Sequence, residues 1–135
     1  MATYVLDSWA LMAFFRDEPA AEQVEDMLEQ AAAGRRKLLL SVINWGEIYY
    51  SILRADGEAI AEQKIREIAA LPIEIVPVES DLVLTRQAAQ FKAKHKISYA
   101  DCFTAALAKI RKAELITGDT EFKQVEHEVK IGWLK

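Results

Sequence analysis

Cysteine is almost absent from this chain. Cys102 is the only one in 135 residues, which excludes an internal disulfide framework and a cysteine-built zinc site. Histidine is nearly as scarce. His95 lies in a basic connector and His127 in an acidic loop, and both read as solvated side chains rather than ligands. The longest apolar run, Trp9 to Phe15, falls far short of the ~18 residues that a membrane span needs. No basic stretch precedes an apolar one at the start of the chain, and Asp7 comes too early for a secretory signal. Positive charge is not in excess either. Seventeen Lys and Arg stand against twenty-one Asp and Glu, a formal net charge of −4. Bulk attraction to nucleic acid or to an anionic membrane is therefore not expected, and any phosphate binding must be local or carried by a cation. Repeats, low-complexity segments and linkers are missing, and the three prolines and five glycines are spread as punctuation. What is left, 52% hydrophobic and 28% charged, is the composition of an ordinary folded protein, in a length that fits one domain over residues 1–135. A soluble, cytoplasmic domain is expected.

Strand and helix signals alternate along the chain. Strands are predicted at 3–6, 37–41, 73–76, 115–117 and 129–133, where β-branched, aromatic and leucine residues cluster. Helices are predicted at 8–15, 20–33, 44–55, 58–71, 82–94 and 99–112, with Gly34, Gly57 and Pro72 as stops. Short apolar strands separated by long helices imply parallel pairing, right-handed crossovers and burial of both sheet faces. The expected fold class is α/β, a three-layer α/β/α sandwich with a mainly parallel central sheet. In such sheets functional sites form outside the carboxyl ends of the strands.

Four acids fall at that address. Asp7 follows the first strand, and Glu47 lies about two helical turns past the second. Asp101 is in the first turn of the helix after Ser98, and Asp119 comes two residues beyond the fourth strand. Each has an ordinary explanation taken alone. Asp7 can cap the helix that begins at Ser8. Ser98-Tyr-Ala-Asp101 is a capping-box pattern, and Asp119 after a glycine fits a turn. Glu47 is harder to dismiss, because Trp45, Ile48, Tyr49, Ile52 and Leu53 leave its helix little polar surface. Taken together, four converging carboxylates would repel, and without compensation some would stay protonated. One or two Mg²⁺ or Mn²⁺ ions, which prefer hard oxygen ligands, would resolve the conflict. Cys102, in an apolar helix, reads as a small buried hydrophobe.

These acids sit in four segments: Tyr4-Val-Leu-Asp-Ser8, Ser41-Val-Ile-Asn-Trp-Gly-Glu-Ile48, Ser98-Tyr-Ala-Asp-Cys-Phe-Thr-Ala-Ala106 and Leu115-Ile-Thr-Gly-Asp-Thr-Glu-Phe122. In this order and spacing they resemble the PIN domain, and in particular the VapC-type toxins of bacterial and archaeal toxin–antitoxin pairs. The resemblance runs nearly end to end, with Val129 to Leu134 closing the sheet. It implies a PIN-like α/β/α sandwich and a metal-dependent endoribonuclease. It also implies a quartet of catalytic and metal-binding acids at Asp7, Glu47, Asp101 and Asp119. Ser8 and Thr117 match hydroxyl positions that hold a carboxylate or a water, and Asn44 matches a polar position one turn before the glutamate. The implied partners are RNA, a cognate antitoxin protein and a second copy of the chain. Trp9 departs from the pattern, being bulkier than the small residue expected after Asp7-Ser8.

Water attacking a backbone phosphorus in line would leave a 5′ phosphate and a 3′ hydroxyl. Three basic clusters are candidate RNA guides: Arg35-Arg36-Lys37, Lys92-Ala-Lys-His-Lys96 and Lys109-Ile-Arg-Lys112. Lys92, Lys94 and Lys96 lead into the Asp101 segment and are favoured, with Arg16 as a further candidate at the rim. Each cluster can equally be a solvated helix end. The apolar helices around Trp9–Phe15 and Trp45–Leu53 exceed what one sheet face covers, which points to a dimer or partner interface. A phosphoacceptor receiver domain would need paired acids after the first strand and a lysine after the fifth; a phosphatase with an aspartyl nucleophile would need Asp-x-Asp where the chain has Asp7-Ser-Trp9. A standalone RNA-processing PIN nuclease and a non-catalytic PIN-like binding module are the alternatives within the resemblance.

Overall fold

The computed structural model describes residues 1–135. In chain order the elements are β1 (Ala2–Leu6), α1 (Ser8–Phe15), α2 (Ala21–Ala32), β2 (Arg36–Ser41), α3 (Val42–Asp56), α4 (Glu58–Ala69), β3 (Glu74–Val76), α5 (Val83–Lys94), α6 (Tyr99–Arg111), β4 (Glu114–Thr117) and β5 (Ile131–Trp133). The strands form one sheet in the order β3-β2-β1-β4-β5, with every neighbouring pair parallel. The chain builds outward from β1 through β2 to β3, crosses back, and builds outward again through β4 to β5. The order therefore reverses between β1 and β4, and the crevice that such a reversal opens lies at the carboxyl ends of those two strands.

Period-two alternation sends side chains to both faces. Val5, Leu39 and Leu115 point into a core shared with α5 and α6, where Phe91, Phe103, Leu107 and Phe122 are buried. Leu6, Leu38, Leu40 and Ile116 point the other way, into a core shared with α1 to α4. The α/β/α expectation holds, and the sheet is wholly rather than mainly parallel.

Local chemistry moves several boundaries. Helix α3 begins at Val42, two residues before the predicted start, because the Ser41 hydroxyl accepts from the Ile43 amide and caps it. Gly57, at φ +90, gives the sharp turn that separates α3 from α4. Asp119 caps a 3-10 turn over Thr120–Val125, and β5 is confined to Ile131–Trp133, shorter than predicted. Helix α1 packs against α2, α3 and β4, so its apolar faces are largely covered. Apolar surplus survives on α3 and α4, at Val42, Ile43, Tyr50, Leu53 and Ile60, and also at the start of α5 and on α6, at Leu82, Val83, Tyr99 and Ile110. No helix is long and apolar enough to cross a membrane.

Trp9 has a structural reason. A Cβ built on Gly118 would overlap the Trp9 indole, so the bulky residue after Asp7-Ser8 and the glycine before Asp119 form a matched pair. Gly118→Ala should therefore cost about 1–3 kcal/mol in urea unfolding. Combined with Trp9→Leu it should cost less than the sum of the two single changes, a coupling that a double-mutant cycle measures directly.

Candidate acidic active site

The first residue past β1 is Asp7. Its carboxylate is buried, with 2% of the residue exposed, and both oxygens are held. The Ala10 amide donates to Oδ1 at 2.9 Å, capping α1, and the Thr117 hydroxyl donates to Oδ2 at 2.5 Å. Thr117 closes β4, so a single hydroxyl ties together the ends of the two central strands. The same oxygen accepts the Asp119 amide at 3.0 Å, which fixes the turn carrying Asp119.

Glu47 enters from α3 through a second set of donors. Ser8 donates to Glu47 Oε1. Asn44, fully buried one turn earlier, points its amide nitrogen at Ser8 Oγ (3.1 Å) and Glu47 Oε1 (3.4 Å). The orientation of that amide is set from α6, where the Thr104 hydroxyl donates to Asn44 Oδ1 at 2.6 Å. Thr104 is a site residue that sequence reasoning passed over. Only its spacing, three residues after Asp101 and so on the same helical face, could have flagged it.

Asp101 stands in the first turn of α6, where Ser98 accepts its amide at 3.1 Å. Asp119 accepts the Glu121 amide at 2.9 Å. Asp101, Asp119 and Glu121 each offer a carboxylate oxygen, and these lie within 4.8 Å of one another. Glu121 is the second residue the sequence reading left out, and Asp7 and Glu47 stand outside this tight trio. The ordinary capping roles of Asp7 and Asp119 are real and coexist with the convergence, because strand ends and helix starts share one edge.

Crowding shows in the electrostatics. Burial pushes the Asp7 carboxyl up to about 7 against the lowering effect of Thr117 and Ala10, and the charges of Asp101 and Asp119 add to the rise. Burial also pushes Asp101 up to about 7, with Glu47, Asp119 and Glu121 contributing. All the donors here are carboxylate oxygens. No imidazole or thiolate belongs to the cluster, and Cys102 is buried in the α5/α6 core. A hard divalent cation of the Mg²⁺ or Mn²⁺ kind fits such a set, with Asp101, Asp119 and Glu121 as its closest-grouped ligands.

The predicted basic guides scatter. Lys92, Lys94 and Lys96 are all exposed near the α5–α6 turn, and the Lys92 ammonium donates to the Ile97 carbonyl at 2.8 Å. The Lys96 amide is held by Gln124, on the turn that follows Asp119. Arg16 is exposed at the far end of α1, about 12 Å of helix from Asp7 and not at the acidic rim. His95 is not a solvated side chain: it is half-buried beside Phe91, with Nε2 3.4 Å from Glu128.

No curated protein sequence matches the chain at a significant level. Among solved structures, it is similar to a chain of VapBC2 from Rickettsia felis bound to a DNA fragment from their promoter. The TM-score is 0.74 at 17% identity, covering 98% of this chain and 99% of that one. DNA-bound VapBC from Salmonella typhimurium gives 0.75 at 13% identity, covering 98% of each. Mycobacterium tuberculosis VapC20, described as a sarcin–ricin loop cleaving toxin, gives 0.70 at 15% identity, covering 90% of this chain and 94% of that one. These likenesses establish the fold. The sequence model of the PIN domain matches residues 4–128, from the first strand through the last loop before β5, and the chain therefore belongs to the PIN domain family.

Proposed function

We propose that this chain is a divalent-cation-dependent endoribonuclease acting in the cytoplasm as the toxin of a VapBC-type pair. The observation that carries the reading is the convergence of Asp7, Glu47, Asp101, Asp119 and Glu121 at the carboxyl ends of β1 and β4, where burial, with the neighbouring charges adding to it, raises Asp7 and Asp101 to about 7. The VapBC complexes and the RNA-cleaving VapC20 among its structural likenesses support a toxin with an antitoxin partner and an RNA substrate. The apolar surface left on α3 and α4 supports association with a second copy or with the antitoxin.

The chain's own residues prepare the chemistry. Thr117 and the Ala10 amide hold Asp7 in one orientation, and Ser8 and Asn44 hold Glu47. Asp101, Asp119 and Glu121 would supply the open side facing solvent and the phosphodiester. Mg²⁺ or Mn²⁺, when bound, supplies Lewis acidity that lowers the pKa of water and neutralises charge on the phosphate. Hydrolysis by water would leave a 5′ phosphate and a 3′ hydroxyl.

Incubation with structured RNA and Mn²⁺ should give discrete cleavage products. Asp7→Asn or chelator should slow cleavage by roughly 10²-fold or more. Cleavage that survives both changes would overturn the mechanism. A second outcome concerns stability without added metal. Asp7 and Asp101 bind protons more tightly folded than at their ordinary 3.8. The stability they contribute is complete below 3.8 and is lost as pH rises through about 7. In chelator the melting temperature should fall between about pH 4 and about pH 7, Asp7→Asn should flatten that fall, and Mn²⁺ should reverse it at the neutral end. A melting temperature independent of pH would sink this account. Third, Thr104→Val leaves the buried Asn44 carbonyl without its donor and should cost about 1–3 kcal/mol. It should also lower RNA cleavage, whereas Thr104→Ser restores both, as denaturation and turnover assays on the same samples would report.

A further inference from the structure

Two of the three basic clusters named from the sequence lie at the wrong end of the molecule to serve the acids. Arg35-Arg36-Lys37 leads into β2, and Lys109, Arg111 and Lys112 end α6 just before β4. Lys130 immediately precedes β5. All of them therefore stand at the edge where the parallel strands begin, whereas Asp7, Asp101 and Asp119 stand where strands end and α6 begins. Along β1 the two edges are about 16 Å apart.

This edge is concave, and four of its cations are free of ion pairs. A groove of about 590 Å³ is lined by four cations, Lys109, Arg111, Lys112 and Lys130, and by two acids, Glu114 and Glu128, together with Tyr4 and strand-start backbone. The carboxylates nearby are already engaged: Glu74 with Lys37, Glu114 with Lys130, and Glu128 with Lys109. Arg35, Arg36, Arg111 and Lys112 take part in no ion pair. Arg36 is instead laid over the Tyr4 ring, 4.9 Å from its centroid, with Nε on Gln30 at 2.5 Å. Its guanidinium is thus held on an aromatic ring beside the groove. In register, Ala2 faces Arg36 and Tyr4 faces Glu114, so the cations at the starts of β2, β4 and β5 form one band across β1. At ~4.8 Å per strand the band is roughly 14 Å wide, enough for two or three consecutive backbone phosphates.

We propose that this strand-start band is a phosphate-binding surface for a folded RNA, separate from the acidic pocket and reached only by a nucleic acid tall enough to span the molecule. The RNA assignment rests on the nuclease reading above; the polyanion chemistry does not. The substrate class it implies is structured rather than short and single-stranded, because a strand lying in the acidic pocket alone never touches the band.

The test compares the full-length protein with Arg35→Gln/Arg111→Gln/Lys112→Gln and with a control of equal charge change, Arg54→Gln/Arg66→Gln/Arg86→Gln, all exposed positions. Melting temperature is recorded for each to confirm folding. Binding of a fluorescent RNA hairpin with a stem longer than ~16 Å is followed in chelator across a salt series. The band variant should bind about 10-fold more weakly at low salt, with a log–log salt slope flatter by about 2, while the control stays near wild type. Cleavage of a short single-stranded oligonucleotide in Mn²⁺ should be the same for all three proteins. Equal weakening in both triple variants, or an unchanged slope in the band variant, would overturn the proposal. Tighter binding of a DNA duplex of equal length would overturn its assignment to RNA. Failure of the wild type to cleave any RNA would remove the nuclease reading alone, leaving the band to be judged on binding.

Discussion

Every feature of the site follows from the cost of gathering carboxylates out of water. A buried anion is tolerated only where donors are fixed against it before it arrives. The chain meets this condition with neutral groups rather than with arginine or lysine. A threonine hydroxyl and a helix-start amide hold Asp7, and a serine with a buried asparagine holds Glu47. Neutral donors orient the carboxylates without cancelling their charge, so the pocket keeps its negative potential. A cationic side chain in the same place would have quenched it.

The topology makes this possible with few residues. The reversal between β1 and β4 opens one edge to loops from both halves of the sheet. Asp7 and Thr117 close adjacent strands, α3 begins directly on the end of β2, and α6 begins at Ser98 on the same side. Thr104 then links α6 to α3 through Asn44, across 60 positions of sequence. Each acid is placed by backbone geometry that the fold needs anyway, since the caps of α1 and of the 3-10 turn are two of the site carboxylates.

The five parallel strands, six helices and two-sided core were legible because period and punctuation act locally: alternating burial at Leu38, Leu39 and Leu40, the serine caps, and Gly57. The acids were legible as residues that follow strands. The tight trio that two of them form with Glu121 was not. That Glu121 joins Asp101 and Asp119 depends on a 3-10 turn whose apolar anchors, Phe122 and Val125, carry no repeating pattern. Thr104, and its pairing with the Asn44 that the resemblance had already marked, were obscure for a different reason. A buried polar pair satisfies itself across two helices, and neither member reveals its partner by spacing. Two of the three basic clusters lie away from the acids, because sequence proximity to a site segment says nothing about which end of the helix faces it. Lys109–Lys112 and Asp101 share α6 yet occupy opposite edges of the sheet. His95 was misread because its partner Glu128 is 33 residues away.

The Trp9–Gly118 contact has a consequence for how such a pocket can change. An indole from the first turn of α1 lies against Gly118 in the loop after β4, so the approach of the Asp119 loop to α1 is bounded by a side chain that carries no charge. A lineage could widen or narrow the anionic cleft by trading bulk between those two positions, retuning which ion or phosphate geometry it accepts while leaving every acidic group in place.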